Sequence, residues 1–255
     1  MQRHALLTND DGYFAPGIKA LRDAFLDAGW QVTVSAPDEQ RSAASHSITI
    51  KRPLVAKLVK AASTSAQYQV DGTPADCVKL ALHALCDKRP DIVVSGINDG
   101  WNAGTDIHYS GTVGAAMEAA FEGVPAIAVS SAFNAYGAAE ERYENAARLA
   151  VEFAEKLLGK PLPMPAVLNL NVPRCHPSEI KGIVDAPLSL IRYSDAYDRL
   201  ERTGQSAAYW IKGDIIEEIE TPGGDLDCLL RGYVTVTAIG WDMTLKENLN
   251  WMPPK

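Results

Sequence analysis

Ala5-Leu6-Leu7-Thr8-Asn9-Asp10-Asp11-Gly12, followed by Gly17-Ile18-Lys19-Ala20-Leu21, decides how the rest of the chain is read. Ala5–Leu7 reads as a buried first strand, and Gly17 opens an amphipathic helix. Two adjacent carboxylates therefore stand where strand one ends and helix one begins. In open parallel α/β sheets, ligands bind along that edge. Neighbouring carboxylates repel and lose hydration on burial unless a cation, a proton or donors compensate. A hard divalent ion is the simplest compensation, because oxygen ligands suit Mg²⁺ or Mn²⁺. Taken alone, the segment also reads as a turn, with Asn, Asp and Gly as turn formers and a helix N-cap.

The 255 residues suffice for one large α/β domain, or one domain with an appendage. A hydrophobic content of 47% is that of an ordinary globular protein. The net charge of -8 argues against a general nucleic-acid binder, which usually carries a basic face. Cys77, Cys86, Cys175 and Cys228 form no CxxC pair, so neither a zinc ribbon nor a thioredoxin-type motif is supported. Scattered cysteines fit a reducing compartment. No apolar stretch has the length of a membrane span, and the N-terminal apolar run is too short for a signal peptide. A cytoplasmic location is the expectation.

Along the chain, Ile18, Leu21, Ala24 and Phe25 recur at helical spacing within 17–27, and Gly29 stops that helix. Gln31–Ser35 is a second strand, giving a βαβ unit with parallel, right-handed pairing. The polar run Pro37–Ser47 leaves the end of that strand and so lies on the same sheet edge as Asp10 and Asp11. It offers Arg41, Ser42, Ser45, His46 and Ser47. Ile48-Thr49-Ile50 alternates like a strand. Leu54–Val59 and Tyr68–Val70 read as a hairpin around a Ser/Ala-rich turn. Thr73 or Asp76 caps a helix running through Leu85. Asp91–Gly96 reads as a central parallel strand. Further core elements are a strand over Val124–Ser130, a helix over 138–158 and a strand over Val167–Pro173, reached through a Pro-rich break at 159–165. Beyond about residue 175 the runs Ile180–Val184, Tyr209–Ile211 and Tyr233–Thr237 are strand-like and helices are few. Residues 196–202 are polar and aromatic. The chain therefore divides into an α/β core over 1–175 and a β-rich extension over 176–255, with a late strand returning to the core.

Between the central strand and a helix over Ala115–Glu122 runs a segment rich in Gly, Asn, Ser and Thr, residues 97–114. Such a loop presents backbone N–H groups and the positive end of a helix dipole to an anion. Ser110 and Thr112 add hydroxyls, or one of them is simply the N-cap. No Gly-Lys-Ser/Thr follows, so this is not a Walker A loop, and the Rossmann Gly-x-Gly-x-x-Gly pattern is absent.

Four blocks carry a resemblance to a known family: Leu7–Gly12 with Ala15-Pro16-Gly17; Ala36-Pro37 through Arg41-Ser42 to Ser45 and Ser47; Gly72–Val78; and Val94–Asn98 through Asn102, Gly104 and Asp106 to Tyr109–Ala116. Asn169, Asn171-Val172-Pro173 and Gly232–Thr237 extend it. In these blocks the chain resembles the SurE survival-protein family of 5′/3′-nucleotidases. The resemblance implies an α/β fold: a Rossmann-like three-layer core with a mostly parallel sheet and a C-terminal extension used in oligomerisation, as dimers or tetramers. It implies one divalent metal ion per subunit, held by Asp10, Asp11, Ser42 and Asn98. Asn9, Asn102, Ser110, Gly111 and Thr112, together with Ser42 and Asn98, would lie close to the substrate phosphate. The expected substrates are nucleoside monophosphates, and short polyphosphate for some members. Membrane and specific nucleic-acid partners are not expected.

Phosphomonoester hydrolysis needs charge neutralised on the phosphoryl oxygens and an activated water, and a divalent ion supplies both. Asp10 and Asp11 are the expected catalytic residues, with Asp11 orienting or deprotonating the water. His46 and His108, in the flanking loops, are candidate general acids. Arg41 is the one nearby cation. A haloacid-dehalogenase-type phosphatase wants Asp-x-Asp after strand one, where this chain has Gly12. A receiver domain needs an Asp ending its third strand, where this chain has Ser95-Gly96-Ile97-Asn98. A nucleotide-binding regulator without catalysis is the alternative from a different class.

Overall fold

The computed structural model describes residues 2–131, 139–162, 165–200, 206–216 and 221–244. The first strand, β1 (His4–Thr8), leads through α1 (Pro16–Asp27) into the parallel β2 (Gln31–Pro37), the expected βαβ unit. A hairpin of β3 (Ala56–Ala62) and β4 (Ser65–Val70) follows, as read from the sequence. Next come α2 (Pro74–Leu80), β5 (Ile92–Asp99), α3 (Gly111–Phe121), β6 (Ala126–Ser131), α4 (Ala139–Gly159) and β7 (Ala166–Val172). The remainder holds β8 (Ile183–Asp185), β9 (Ala196–Leu200), β10 (Ala208–Lys212), α5 (Asp225–Leu230) and β11 (Val234–Gly240).

Among the described residues, nine strands form one sheet in the order β3-β4-β2-β1-β5-β6-β7-β11-β8, and β9 and β10 form a separate antiparallel ribbon. Pairings from β4 to β7 are all parallel; β3 and β11 join antiparallel. Helices cover both faces, which is why Leu6, Leu7, Val93, Val94, Ile127 and Ala128 are fully buried and these strands are continuously apolar. Ile18, Leu21 and Phe25 of α1 pack with Leu149, Ala150 and Leu157 of α4 on one face. On the other, Val78 of α2 meets Ala115, Ala116, Ala119 and Ala120 of α3, whose small side chains let that helix lie close to the sheet. The three-layer, Rossmann-like expectation holds.

This strand order sets the position of the site. The chain winds outward from β1 to β2 and β4 on one side, then crosses to β5, β6 and β7 on the other. The crevice between the carboxyl ends of β1 and β5 is thus a topological switch point, where open α/β sheets bind ligands.

Four local expectations need correction. Residues 48–50 form no strand: β3 occupies the edge beside β4, Ile50 is left 78% exposed, and the Thr49 N–H donates to Asp76 Oδ1. The helix expected from Ala115 begins at Gly111, because Ser110 caps it by accepting from the Val113 N–H at 3.0 Å. The α2 helix ends at Leu80 and continues as a π-helical turn over Ala81–Leu85. The late segment contains α5, whose Asp-Leu-Asp-Cys-Leu-Leu run is too short to show a helical period. Pro163 and Met164 of the Pro-rich break, Ala138 before α4, and Arg202 at the end of the polar-aromatic run lie outside the described residues.

Candidate active site

At the end of β1 the chain turns so that both carboxylates face the crevice. Asn9 is fully buried, and its side-chain amide donates to Gly12 O at 2.9 Å, closing the turn. Gly12 sits at φ +98°, a left-handed conformation that glycine adopts without penalty. Asn9 is not among the residues lining the cavity, and its amide shapes the turn that carries the two carboxylates.

A cavity of about 440 Å³ opens at this point, lined by Asp10, Asp11, Ser42, Asn98, Asn102 and Ser110 from the expected set. Gln40, Ala43, Asp99, Trp101, Asp106, Tyr109 and Tyr193 complete the wall. Four of the lining side chains are aspartates, and no Lys or Arg is among them. Arg41 turns to Asp38 and Glu39 at 3.3 and 3.0 Å instead, and contributes only its backbone N–H, which donates to Asp10 O.

Asp10 is 5% exposed, and its Oδ1 accepts from Thr112 Oγ1 at 2.6 Å. Burial pushes its carboxyl above the usual carboxylate range, while the Thr112 hydroxyl and nearby backbone N–H groups hold it down. The first turn of α3 thus serves Asp10 before any ligand: donors and the positive helix end face a built-in anion. Thr112 therefore supports Asp10 through its hydroxyl, and neither Thr112 nor Gly111 is among the residues lining the cavity. Gly111 is instead a close-packing point, since a Cβ there would lie 3.0 Å from Asp10 Cβ. Ser110, 6% exposed, is the residue of this trio in the cavity wall.

Asp11 is half-buried and accepts from the Asp99 N–H at 3.2 Å. Its carboxyl is pushed up to about 6, by burial first and by the Asp10 charge second. Asn98 commits its amide nitrogen to Gly100 O at 3.0 Å, so Oδ1 is the atom it offers a cation. Ser42 Oγ accepts from Gln40 Nε2 at 2.9 Å. Asn102 is clamped: its N–H donates to Asn171 Oδ1, its carbonyl accepts from Asn169 and Asn171, and its amide donates to Ser130 Oγ.

The loop carrying Ser42 is held in a costly shape. Ala43 and Ser45 both have positive φ, at 56° and 53°, a region that residues with a Cβ avoid. Ser45 bonds the 108–109 backbone through its N–H and hydroxyl, and His46 Nε2 meets the buried Glu118 at 2.8 Å. His46 also stacks on Phe121. His46 and His108 both line a neighbouring apolar cavity with Met117, Phe121 and Trp241, which shares Ser110 with the aspartate-lined one.

A buried and a half-buried carboxylate, both pushed up by desolvation, with neutral oxygens from Ser42 and Asn98 in the same wall, fit a hard divalent cation. Among the described residues no three His, Cys, Asp or Glu side chains converge as a metal cage; a Mg²⁺-type site asks for only one or two carboxylates.

A family model described as "Survival protein SurE" matches residues 5–195. The chain is 41% identical to the 5′-nucleotidase SurE of Carboxydothermus hydrogenoformans over 247 residues, 96% of this chain and 93% of that protein. It is 38% identical to the 5′-nucleotidase SurE of Trichormus variabilis over 264 residues, 98% of each. The crystal structure of the SurE protein from Aquifex aeolicus superposes with a TM-score of 0.78 at 39% identity, covering 94% of both chains. This chain belongs to the SurE family.

Within this SurE family member, sequence reading missed Asp99, Trp101, Asp106, Tyr109 and Tyr193 as wall residues. Asp99 follows the strand-ending Asn98 and could have been found as a second acid at that strand end. Tyr193 had no signal, because 83 to 183 residues separate it from Ser110, Asp11 and Asp10 in the same wall. No described helix is long and apolar enough to cross a membrane.

Proposed function

We propose that the chain is a divalent-metal-dependent nucleotidase, a phosphomonoester hydrolase that converts nucleoside monophosphates to nucleoside and phosphate. The observation that carries this reading is the pair of the buried Asp10 and the half-buried Asp11 at the sheet's switch point, in a cavity with no cationic side chain among its described lining residues. The near-full-length likeness to proteins named 5′-nucleotidase supports it.

Asp10, Asp11, Ser42 and Asn98 would hold the ion. The chemistry supplied by a bound Mg²⁺ or Mn²⁺ is charge neutralisation on the phosphoryl oxygens and acidification of water. Thr112 keeps Asp10 an acceptor by donating to it. Asp11, whose carboxylate is the more exposed of the pair, would orient the attacking water or take its proton. Ser110 lies at the mouth of α3, where a hydroxyl and the positive helix end favour charge developing on the phosphoryl oxygens. Asn102, immobilised by three neighbouring side chains, is a preorganised substrate contact.

Residues 1–175 act in this reading as the catalytic core and 176–255 as an extension for self-association, with cytoplasmic action supported by four cysteines that form no disulfide. Short polyphosphate is a candidate second substrate. Phosphate release from nucleoside 5′- and 3′-monophosphates, with and without Mg²⁺ or Mn²⁺, tests the reading. Wild-type protein should turn over only with metal, and Asp10→Asn and Asp11→Asn should each lose turnover by at least about a hundred-fold. Nucleotide binding without phosphate release would favour a regulator, and normal turnover in either variant would remove the carboxylates from the mechanism.

A further inference from the structure

The wall of the aspartate-lined cavity extends past the expected ligands. Trp101, Asp106, Tyr109 and Tyr193 complete it, giving three aromatic rings and a further carboxylate. Tyr193 comes from the late segment, and its hydroxyl donates to Asp106 Oδ2 at 2.6 Å. Burial pushes the Asp106 carboxyl up, with the Asp225 charge adding to it, while the Tyr193 bond opposes the rise. Burial and the facing carboxylate push the Tyr193 phenol up, so it stays a donor.

This pair is held from both sides. Thr105 Oγ1 donates to Ile191 O at 2.7 Å, and Ile191 is buried in a small cluster with Ala103 and Leu229. Beyond Tyr193, the Ser194 N–H donates to Asp214 O, and Tyr193 bridges Ile215. Trp101 is fixed as well, its indole N–H donating to Val172 O at 2.7 Å.

The chemistry of this part of the wall differs from that of a phosphate pocket. A carboxylate without a neighbouring cation repels a second phosphoryl group and welcomes hydroxyl donors. Carboxylates take up ribose hydroxyls in this way in dinucleotide-binding folds. Arg174 lies over the Trp101 ring at 5.4 Å, whereas Tyr109 is exposed and offers a ring suited to a flat base, because stacking is favourable for any π-face. A cavity of about 440 Å³ has room for more than a phosphoryl group and falls in the size range of small-molecule sites.

We propose that Asp106 and Tyr193 form the leaving-group subsite, selecting phosphomonoesters of an uncharged nucleoside through hydrogen bonds from its sugar hydroxyls to Asp106, with Tyr193 positioning that carboxylate. The inference rests on the hydrolase reading and specifies which half of the substrate these residues recognise.

Steady-state kinetics of wild type, Asp106→Asn and Tyr193→Phe with AMP, 2′-deoxy-AMP and p-nitrophenyl phosphate, in Mn²⁺, test it. In Asp106→Asn, kcat/KM for AMP should fall about ten-fold more than for p-nitrophenyl phosphate, mostly through KM, and the preference for AMP over 2′-deoxy-AMP should shrink. Tyr193→Phe should shift the same ratio in the same direction by less. Equal losses on all three substrates, or no change, would make the pair a structural fastener and overturn the proposal. If Asp106→Asn does not fold, Tyr193→Phe alone decides by the same ratio. If the wild type releases no phosphate from any substrate, the hydrolase reading fails, and calorimetric AMP binding in Mn²⁺ judges the subsite: weaker binding in the variants supports it and equal affinity overturns it.

Discussion

Asp10 and Asp11 are neighbours in the chain with different surroundings. Thr112 and backbone donors meet the buried Asp10, whereas Asp11 has one long backbone bond and the Asp10 charge beside it. The consequence is a pH dependence whose sign is fixed. The Asp11 carboxyl rises from 3.8 to about 6 on folding, so between those values the folded chain keeps a proton that the unfolded chain has lost. Stability contributed by this group is full below about 4, declines as pH rises to about 6, and changes no further above it. Metal-free protein should show a Tm that falls across this window by scanning calorimetry, and Asp11→Asn should flatten the fall. Stabilisation by added Mn²⁺ should grow over the same range, because the ion competes with that proton. An equal fall in Asp11→Asn would assign the effect to other carboxylates.

At the scale of elements, the late segment completes the site because it is clamped to the turn after β5. Asp225 is fully buried, and its carboxylate accepts from the N–H groups of Gly104, Ser189 and Leu226. These bonds tie α5, the 187–193 segment and the Gly104–His108 3-10 turn together, and that turn carries Asp106. Removing the acceptor strands the Gly104 and Ser189 N–H groups, each costing about 1–3 kcal/mol when buried without a partner, while the Leu226 N–H keeps Ser189 Oγ at 3.0 Å. Asp225→Ala should therefore lower stability by about 2 kcal/mol or more in urea unfolding, and raise KM for AMP more than it lowers kcat. An unchanged KM would show that the late segment is not needed to shape the cavity.

For the whole molecule, a net charge of -8 and an aspartate-lined cavity mean that an anionic substrate approaches an unfavourable field unless a cation is bound first. The β9–β10 ribbon presents a second whole-molecule feature, with Tyr197, Tyr209, Trp210 and Ile211 each about 60% or more exposed. Apolar surface of that kind on one ribbon is a site for association. Light scattering should give a dimer or larger at micromolar concentration, and Trp210→Glu with Ile211→Glu should shift it toward monomer. A monomeric wild type would end the self-association reading.

The sequence by itself determined the βαβ start, the alternation of apolar runs with amphipathic helices, and the acidic pair Asp10–Asp11 at a strand end; Ser42 and Asn98 joined that pair through the family resemblance, and all four line one cavity. Those features are local: turn chemistry at Asn9 and Gly12, burial on two faces, and polar residues ending strands. Only the tertiary structure decided that Thr112 serves Asp10, that residues 48–50 are not a strand, and that both candidate histidines line a second cavity. It also brought Tyr193 to Asp106. Each of these depends on which strands pair and which helix end lies over which loop. Such contacts join residues far apart in the chain, and no local spacing encodes them.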